Sequence, residues 1–480
     1  MMGLRELLAD QALPEASLNN MTLDSRSVES NTIFIAVPGA ERDGRDFIHA
    51  ALEQGAAAVL AEADGRELPD DDRVIAISQL KERIGELADR FYHSPSRQLK
   101  IMAVTGTNGK TSIVELTRQL LQTVGLTAGS IGTLGSRLIG PPTEVRNTTP
   151  DCITLHRQLR AWRDAGVNYV AMEASSHALD QQRLDGLSID VAVFTNLSRD
   201  HLDYHHSMAA YCDAKLRLFR DFASSVQIFN ADDSLLSSLS DIWGRDSIGI
   251  SFSDESADVL IGIVSVAPLV FTLRTPWGVA QIDSLLAGRF NAFNLTVAIV
   301  AAASIGVPFS EIVAVTAQLK PVPGRLEPVE MASDITVVID YAHTPDALHR
   351  AIMAVSEARQ QGRIWVLFGC GGDRDRGKRS EMGAVASRLA DRIVVTSDNP
   401  RSEPPETIIQ DILAGCEGVT PLVEVDRAAA ISLVIAEAAA GDTVLIAGKG
   451  HETYQEIAGA RIPFSDSQCA NHYLAQRRAA

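Results

Sequence analysis

The run Thr105-Gly106-Thr107-Asn108-Gly109-Lys110-Thr111 sets glycines, a lysine and a hydroxyl at the spacing of a phosphate cradle. It lies between the apolar stretch Ile101-Met102-Ala103-Val104 and a helical pattern that starts at Ser112. In such a strand–turn–helix, backbone N–H groups and the helix dipole face an anion, and the lysine adds a point charge. Thr111 can offer its hydroxyl to a magnesium ion. The chemistry implied is binding of a nucleoside triphosphate. The common pattern G-x-x-x-x-G-K-[ST] asks for glycine where this chain has Val104, so the loop is a variant of it. The alternative is a chance Gly/Thr/Asn turn between a strand and a helix.

Other chemistry-bearing groups follow strands. Glu173 ends Tyr169-Val170-Ala171-Met172-Glu173, where its carboxylate can meet the cation that Thr111 touches. A surface acid at a strand end is the alternative. The loop Thr195 to His205 holds Asp200, His201, Asp203 and His205, and His201 could serve as metal ligand or proton carrier rather than as a solvated histidine. Lys215 sits in an otherwise apolar helix. Composition alone favours a stem that snorkels its charge to water, against a neutral amine carrying a carbamate. Asn294, in Arg289-Phe290-Asn291-Ala292-Phe293-Asn294, reads as a base or phosphate contact or as a helix N-cap. Arg325 follows Pro323-Gly324 and is either a hinge arginine reaching a phosphate or an exposed linker charge. Asp398-Asn399-Pro400-Arg401 is a turn whose arginine can clamp a carboxylate bidentately, or a plain Asp/Asn/Pro turn. Arg374 and Arg376 join that clamp or are exposed loop charges.

The elements that must position these groups alternate along the chain. Residues 1–97 read as a small α/β unit that ends at His93-Ser94-Pro95-Ser96. Residues 98–324 show strands at 101–105, 169–173, 190–195 and 226–230, with helices at 111–123, 153–165, 208–221 and 294–304. That order predicts a mostly parallel sheet covered by helices, with antiparallel strands added over 247–286. Residues 325–480 repeat the alternation, as in a doubly wound, Rossmann-like unit. Its polar clusters fall at the carboxyl ends of strands, where ligands collect in such folds. The fold class is therefore α/β in three domains, with a P-loop-type parallel sheet in the middle.

Composition bounds the rest. A chain of 480 residues, 46% hydrophobic and 22% charged, is that of a soluble globular protein. The net charge of −18 argues against nucleic acid as the main partner. The five cysteines are scattered and suit a reducing compartment. Leu295 to Val307, the longest apolar-rich region, is too short to span a bilayer. A cytoplasmic enzyme is expected.

Thr105–Thr111, Glu173–Leu179, Asn196–His205, Lys215, Asn294, Arg325, Asp340–Pro345 and Asp398–Arg401 occur in one order. In these motifs the chain resembles the Mur ligases of peptidoglycan synthesis across essentially its whole length. Within the family it is similar to the members that add the third residue of the stem peptide. The resemblance implies that ATP phosphorylates the D-glutamate side-chain carboxylate of UDP-N-acetylmuramoyl-L-alanyl-D-glutamate. An amine then attacks the acyl phosphate. It also implies a role in cell-wall biogenesis, and so in cell shape and division.

Site roles follow from the resemblance, position by position. Gly106, Thr107, Asn108, Gly109, Lys110, Thr111 and Ser112 would hold the ATP phosphates, and Asn294, Arg325 and Asp340 would also contact ATP. Thr111 and Glu173 would hold one Mg2+, and His201 with a carbamylated Lys215 would help hold a second. The UDP-sugar dipeptide would meet Leu23, Ser25, Asn147, Thr148, Thr149, Ser175, Gln181 and Arg183. The loop Ala40-Glu41-Arg42 would lie near the uridine, but its residues depart from the family pattern and receive no individual roles. Asp398, Asn399, Pro400 and Arg401 resemble the signature of the meso-diaminopimelate enzymes, with Arg374, Gly448 and Glu452 completing the pocket. Diaminopimelate carries a second carboxylate at its far end where lysine carries only an ammonium, and an arginine there discriminates between them. The expected partners are therefore small molecules only, handled by a monomer.

Competing functions are another ATP-dependent amide ligase of the superfamily, such as a folylpolyglutamate synthetase, or a nucleotide-driven switch or motor. The segment Thr22 to Arg26 and the turn at Asp398 disfavour the first. A switch needs neither Lys215 nor a pocket in the third domain. A non-enzymatic nucleotide-binding scaffold leaves the acids and histidines around the loop unexplained.

Overall fold

The computed structural model describes residues 2–39, 42–138, 147–239, 241–244, 246–329, 333–359 and 361–480 less the last residue. The chain divides into two compact units. The first comprises Met1–Ala103, Leu126–Ala192 and Ala214–Ser225, and the second Val104–Gly125, Val193–Asp213 and Val226–Ala480.

In the first unit a four-stranded parallel sheet runs in the order Asn20–Thr22, Thr32–Ala36, Ala58–Glu62, Val74–Ile77. Side chains alternate faces along a strand, so each strand feeds two cores. Ile33, Ile35 and Leu60 pack with Leu80, Leu87 and Phe91 on one side. Phe34, Val59 and Ala61 pack with Ile48, Ala51 and Leu52 on the other. The same unit holds the strand Tyr169–Glu173, parallel to Ala128–Gly132. Ala128–Gly132 in turn pairs antiparallel with Gly135–Arg137.

The strands Lys100–Thr105 and Val191–Phe194 begin in the first unit and end in the second. Their backbones meet near both ends: Asp190 N–H donates to the Ile101 carbonyl, and Thr195 N–H to that of Thr105. Both strands are apolar runs buried along nearly their whole length, as expected where helices cover both faces of a sheet.

The second unit continues with Val226–Asn230, Ser247–Ser251 and Val259–Val266, all parallel neighbours. Two antiparallel strands, Leu269–Thr275 and Gly278–Ser284, follow. In Leu269–Thr275 the residues Leu269, Phe271 and Leu273 are buried while Thr272 and Arg274 are exposed, the alternation of a half-solvated antiparallel sheet. The sequence pattern anticipates these strands.

A six-stranded sheet completes the second unit, in the order Glu327–Pro328, Thr336–Asp340, Thr443–Ala447, Ile364–Phe368, Arg392–Val395, Leu422–Val423. All pairs are parallel except the first. Helices cover both faces. Val366, Phe368 and Leu445 pack with Leu348, Ile352 and Met382. Trp365, Leu367 and Ile446 pack with Ile431, Val434 and Leu474. This is the doubly wound arrangement that the strand–helix alternation implies.

Candidate active site

The phosphate-loop variant has the expected frame. The strand ends at Thr105, and the helix Lys110–Thr123 begins behind Gly109. Gly106 has φ +138°, and a Cβ there would lie 1.9 Å from Thr195 Oγ1, so only glycine fits. Thr107 N–H donates to the Asn196 carbonyl at 2.9 Å, and Asn108 N–H to Asn196 Oδ1 at 3.0 Å. The Lys110 ammonium curls onto its own loop, donating to the Gly106 and Thr107 carbonyls at 2.8 and 2.9 Å. It thus lies over the turn where a phosphate would sit.

Asn294 is no N-cap. Its helix starts five residues earlier, spanning Arg289–Ser304 behind Gly288, and Asn294 lies buried in its interior. Its Oδ1 is 2.8 Å from where a Cβ on Gly109 would stand, so the amide rests directly on the phosphate loop. The apolar periodicity of the helix shows from Leu295 onward, which is why the sequence places its start too late.

Arg325 reaches the same loop. Its Nη2 donates to Thr111 Oγ1 at 3.0 Å, and its guanidinium stands 4.5 Å over the Tyr341 ring. It is not an exposed linker charge. Asp340 ends the strand Thr336–Asp340 and accepts from Leu326 N–H at 2.7 Å. Burial pushes its carboxyl up to about 6, against the opposing pull of Arg325 and two backbone N–H groups. Asp346, in the first turn of the helix Pro345–Ala358, accepts from Asn108 Nδ2 at 2.8 Å. Sequence reasoning missed Asp346, whose one local signal is its place just after the helix N-cap Thr344.

His201 sits in the left-handed region with φ +54° and caps a short helix. Its Nε2 lies 3.4 Å from the buried Asp200 carboxylate, and His343 Nε2 lies 3.9 Å from it. Burial alone would raise the Asp200 carboxyl. The charges of His201, His343 and Lys378, with the His201 N–H, instead hold it well below the usual range. Beside it, Arg199 pairs with Asp375 at 3.1 Å and with Glu381 at 2.9 Å.

In the first unit a connected polar cluster surrounds Glu173. The carboxylate is buried and takes Thr133 N–H at 2.7 Å on Oε1 and Thr133 Oγ1 at 3.3 Å on Oε2. It is not a surface acid. Thr133 is a second residue that sequence reasoning missed. Its hydroxyl lies 3.3 Å from that of Thr148. Thr149 donates to the Glu173 carbonyl at 2.7 Å and stands 3.5 Å from the Ser175 hydroxyl. Arg183 donates to the Thr149 carbonyl at 2.9 Å and to Gln181 Oε1 at 2.6 Å. Five of the residues expected to meet the UDP substrate are thus brought together. Asn147 is exposed beside them in sequence, while Leu23 and Ser25 lie after the strand Asn20–Thr22. Of the loop Ala40-Glu41-Arg42, the first two residues lie outside the described residues.

Lys215 does not snorkel. It lies in the helix Met208–Arg220 with 1% of its surface exposed.

The third group collects at strand ends of the six-stranded sheet. Asp398, Asn399 and Pro400 are buried. Asn399 Nδ2 donates to Glu452 Oε2 at 2.9 Å, and Lys449 bridges Asn399 Oδ1 at 3.0 Å and Glu452 Oε2 at 2.7 Å. A Cβ on Gly448 would lie 2.4 Å from Asp398 Oδ2. The Gly448 N–H donates to the Asp340 carbonyl, which joins this group to the end of the strand Thr336–Asp340. Arg401 has φ +52°, and its Nη1 donates to the Gly372 carbonyl at 2.7 Å. Arg374 is exposed, and Arg376 pairs with Glu403 at 3.2 Å. Among the described residues no group of three or more His, Cys, Asp or Glu forms a metal cage, and no helix is long and apolar enough to cross a membrane.

Comparison with known proteins shows the family. The Mur ligase family catalytic domain matches residues 17–92, the Mur ligase middle domain 104–302, and the Mur ligase glutamate ligase domain 324–450. The chain is 45% identical to a UDP-N-acetylmuramoyl-L-alanyl-D-glutamate–2,6-diaminopimelate ligase of Chromobacterium violaceum, over 98% of this chain and 96% of that one. It is 44% identical to the ligase of that name from Pseudomonas aeruginosa, over 99% of this chain and 98% of the relative. A solved structure of such a ligase superposes with a TM-score of 0.69 at 36% identity, covering 96% of this chain and 95% of its own. With matches of this depth along nearly its whole length, the chain belongs to the Mur ligase family.

Proposed function

We propose that this protein is an ATP-dependent ligase that joins meso-2,6-diaminopimelate to UDP-N-acetylmuramoyl-L-alanyl-D-glutamate in peptidoglycan precursor synthesis. ADP and phosphate are the other products. The observation that carries the reading is full-length similarity to ligases of this name, together with the buried Asp398 and Asn399 and the half-buried Glu452 that Asn399 holds, beside Arg401. We infer that segments 1–97, 98–324 and 325–480 serve the UDP substrate, ATP and the amino acid respectively. The enzyme would act as a cytoplasmic monomer.

The chemistry follows from the weakness of a carboxylate as an electrophile. A D-glutamate carboxylate oxygen attacks the γ-phosphorus of ATP, and the bond to the β-phosphate oxygen breaks, giving an acyl phosphate and ADP. The amine nitrogen then attacks the acyl carbon. The tetrahedral intermediate collapses to an amide, inorganic phosphate leaves, and the nitrogen loses a proton. The protein's share is positioning and neutralisation of developing charge. Gly106 to Ser112 cradle the phosphates, and Lys110 swings from its loop carbonyls to the transferred phosphoryl. Asn294, Arg325 and Asp340 fix the nucleotide. Leu23, Ser25, Asn147, Thr148, Thr149, Ser175, Gln181 and Arg183 orient the UDP-sugar dipeptide. Arg374, Asp398, Asn399, Pro400, Arg401, Gly448 and Glu452 receive diaminopimelate.

The donor chemistry suits Mg2+. Thr111 offers a hydroxyl, and Glu173 a carboxylate already oriented by Thr133. Magnesium is commonly held by one or two carboxylates plus substrate phosphates, without an all-protein cage. Thr111 and Glu173 would hold one ion, and His201 with Lys215 as its carbamate a second. When bound, the ions neutralise phosphate charge.

ADP release measured against a panel of amino acids, with the UDP-muramoyl dipeptide present, tests the reading. Only diaminopimelate should give strong turnover. Equal turnover with lysine overturns the specificity, and turnover without any acceptor favours a nucleotide switch.

A further inference from the structure

Tyr341 stands between two groups of residues that the proposed function gives to different substrates. Its hydroxyl donates to Glu452 Oε1 in a long, 3.4 Å hydrogen bond. Lys449 and Asn399 hold the other oxygen of that carboxylate. The opposite side of Tyr341 serves the nucleotide. Its ring carries the Arg325 guanidinium at 4.5 Å, and Arg325 reaches Thr111 of the phosphate loop at 3.0 Å. One side chain therefore touches the carboxylate of the amine pocket and the arginine on the phosphate loop.

The backbones beneath it are locked as well. Gly324, with φ +66°, forms the turn that aims Arg325, and a Cβ there would lie 2.2 Å from the His451 nitrogen. A Cβ on Gly450 would lie 2.8 Å from Tyr341 Cβ and 2.8 Å from the Gly324 carbonyl oxygen. The turn that sets Arg325 and the loop that carries Glu452 are packed main chain to main chain, with Tyr341 filling the remaining side. A shift of Glu452 on taking up an ammonium must pass to Tyr341, and a tilt of the ring moves the surface on which Arg325 rests.

We propose that Tyr341 is a positioning residue that couples occupation of the amine pocket to the setting of Arg325 on the phosphate loop. The proposal rests on the function given above. It separates two parts of one side chain: the hydroxyl serves the amine pocket through Glu452, and the ring serves the nucleotide through Arg325.

The test uses Tyr341→Phe and Tyr341→Leu in the full chain. Steady-state kinetics give KM for diaminopimelate, and calorimetry with Mg2+ and a non-hydrolysable ATP analogue gives nucleotide affinity directly. Tyr341→Phe should raise the KM for diaminopimelate about three- to tenfold and leave nucleotide affinity within about twofold. Tyr341→Leu should weaken both. In a Glu452→Ala background, which removes the acceptor, Tyr341→Phe should add no further loss. The proposal falls if Tyr341→Phe leaves the KM unchanged, if Tyr341→Leu leaves nucleotide affinity unchanged, or if the two losses add fully. A purely structural tyrosine would lower the melting temperature without splitting the two substrates. If wild type does not turn over diaminopimelate, the substrate assignment fails. The difference in nucleotide affinity between the two variants then still decides the link from Tyr341 to Arg325.

Discussion

The ammonium of Lys449 lies 2.7 Å from Oε2 of Glu452, three residues along the chain, and the lysine side chain has no exposed surface. It also donates to Asn399 Oδ1 at 3.0 Å. A charge removed from water in this way is tolerated because both partners are polar and close. Lys449 thereby fixes two residues assigned to the amine pocket without being assigned to it. Removing the buried ammonium leaves the half-buried Glu452 carboxylate without its charge partner. Lys449→Met should therefore lower unfolding stability by about 3–5 kcal/mol. Urea denaturation checks this, and a loss under about 1 kcal/mol would mean that water already reaches Glu452.

Arg401 is held in a left-handed backbone conformation, with its guanidinium on the Gly372 carbonyl. If it also meets the distal carboxylate of diaminopimelate, Arg401→Ala should weaken use of that substrate by at least about tenfold, roughly 1.4 kcal/mol or more. Arg401→Lys should recover little, because an ammonium cannot span two acceptors as the planar fork does. kcat/KM for diaminopimelate and for lysine, measured side by side, decides it. Unchanged diaminopimelate kinetics in Arg401→Ala removes Arg401 from the pocket.

What could be read without coordinates was what local pattern encodes. Apolar runs ending in glycine marked the phosphate-loop strand, and alternation marked Leu269–Thr275. Polar clusters at strand ends marked the carboxyl edge of the six-stranded sheet. Contacts made by residues far apart in the chain could not be read. Nothing near Thr133 in the sequence shows that it grips Glu173, and nothing near Asp346 shows that it takes the Asn108 amide. Lys215 was misread on its composition for a related reason. One lysine among apolar neighbours is compatible with snorkelling or with burial, and only tertiary packing chooses. Asn294 was open for want of a helix start, which its aromatic-rich first turn hides.

Asp340 gives a pH signature. Burial raises its carboxyl from 3.8 to about 6, so the folded chain binds a proton that the unfolded chain has already released. Stability from this group is thus present below about pH 4 and lost as pH climbs through about 6. The loss amounts to roughly 3 kcal/mol for a shift of this size. Asp340→Asn keeps the shape and an acceptor for Leu326 N–H, but cannot titrate. The change in unfolding free energy between pH 4.5 and 7 should therefore be less unfavourable in the variant than in wild type. Identical profiles in the two proteins would show that Asp340 is already solvated in the folded state.

Lys215 is the residue whose burial most constrains the chemistry. With 1% of its surface exposed, its amine is shut away from bulk water inside the helix Met208–Arg220. A lysine amine adds carbon dioxide in its neutral form, releasing a proton and leaving a carbamate. The product presents two oxygens with the charge of a carboxylate, ligands suited to a hard cation. Lys215→Ala should then lose activity by roughly a hundredfold or more, because an anionic group is missing from the positioned set. If Lys215 carries the carbamate, the deleted group is chemically a carboxylate, and formate or acetate in the assay should restore part of the rate, with saturation. Lysine methylamine analogues or ammonium salts should not. Rescue by ammonium alone would show that the charge supplied here is positive, and full activity without rescue would leave Lys215 a packing residue.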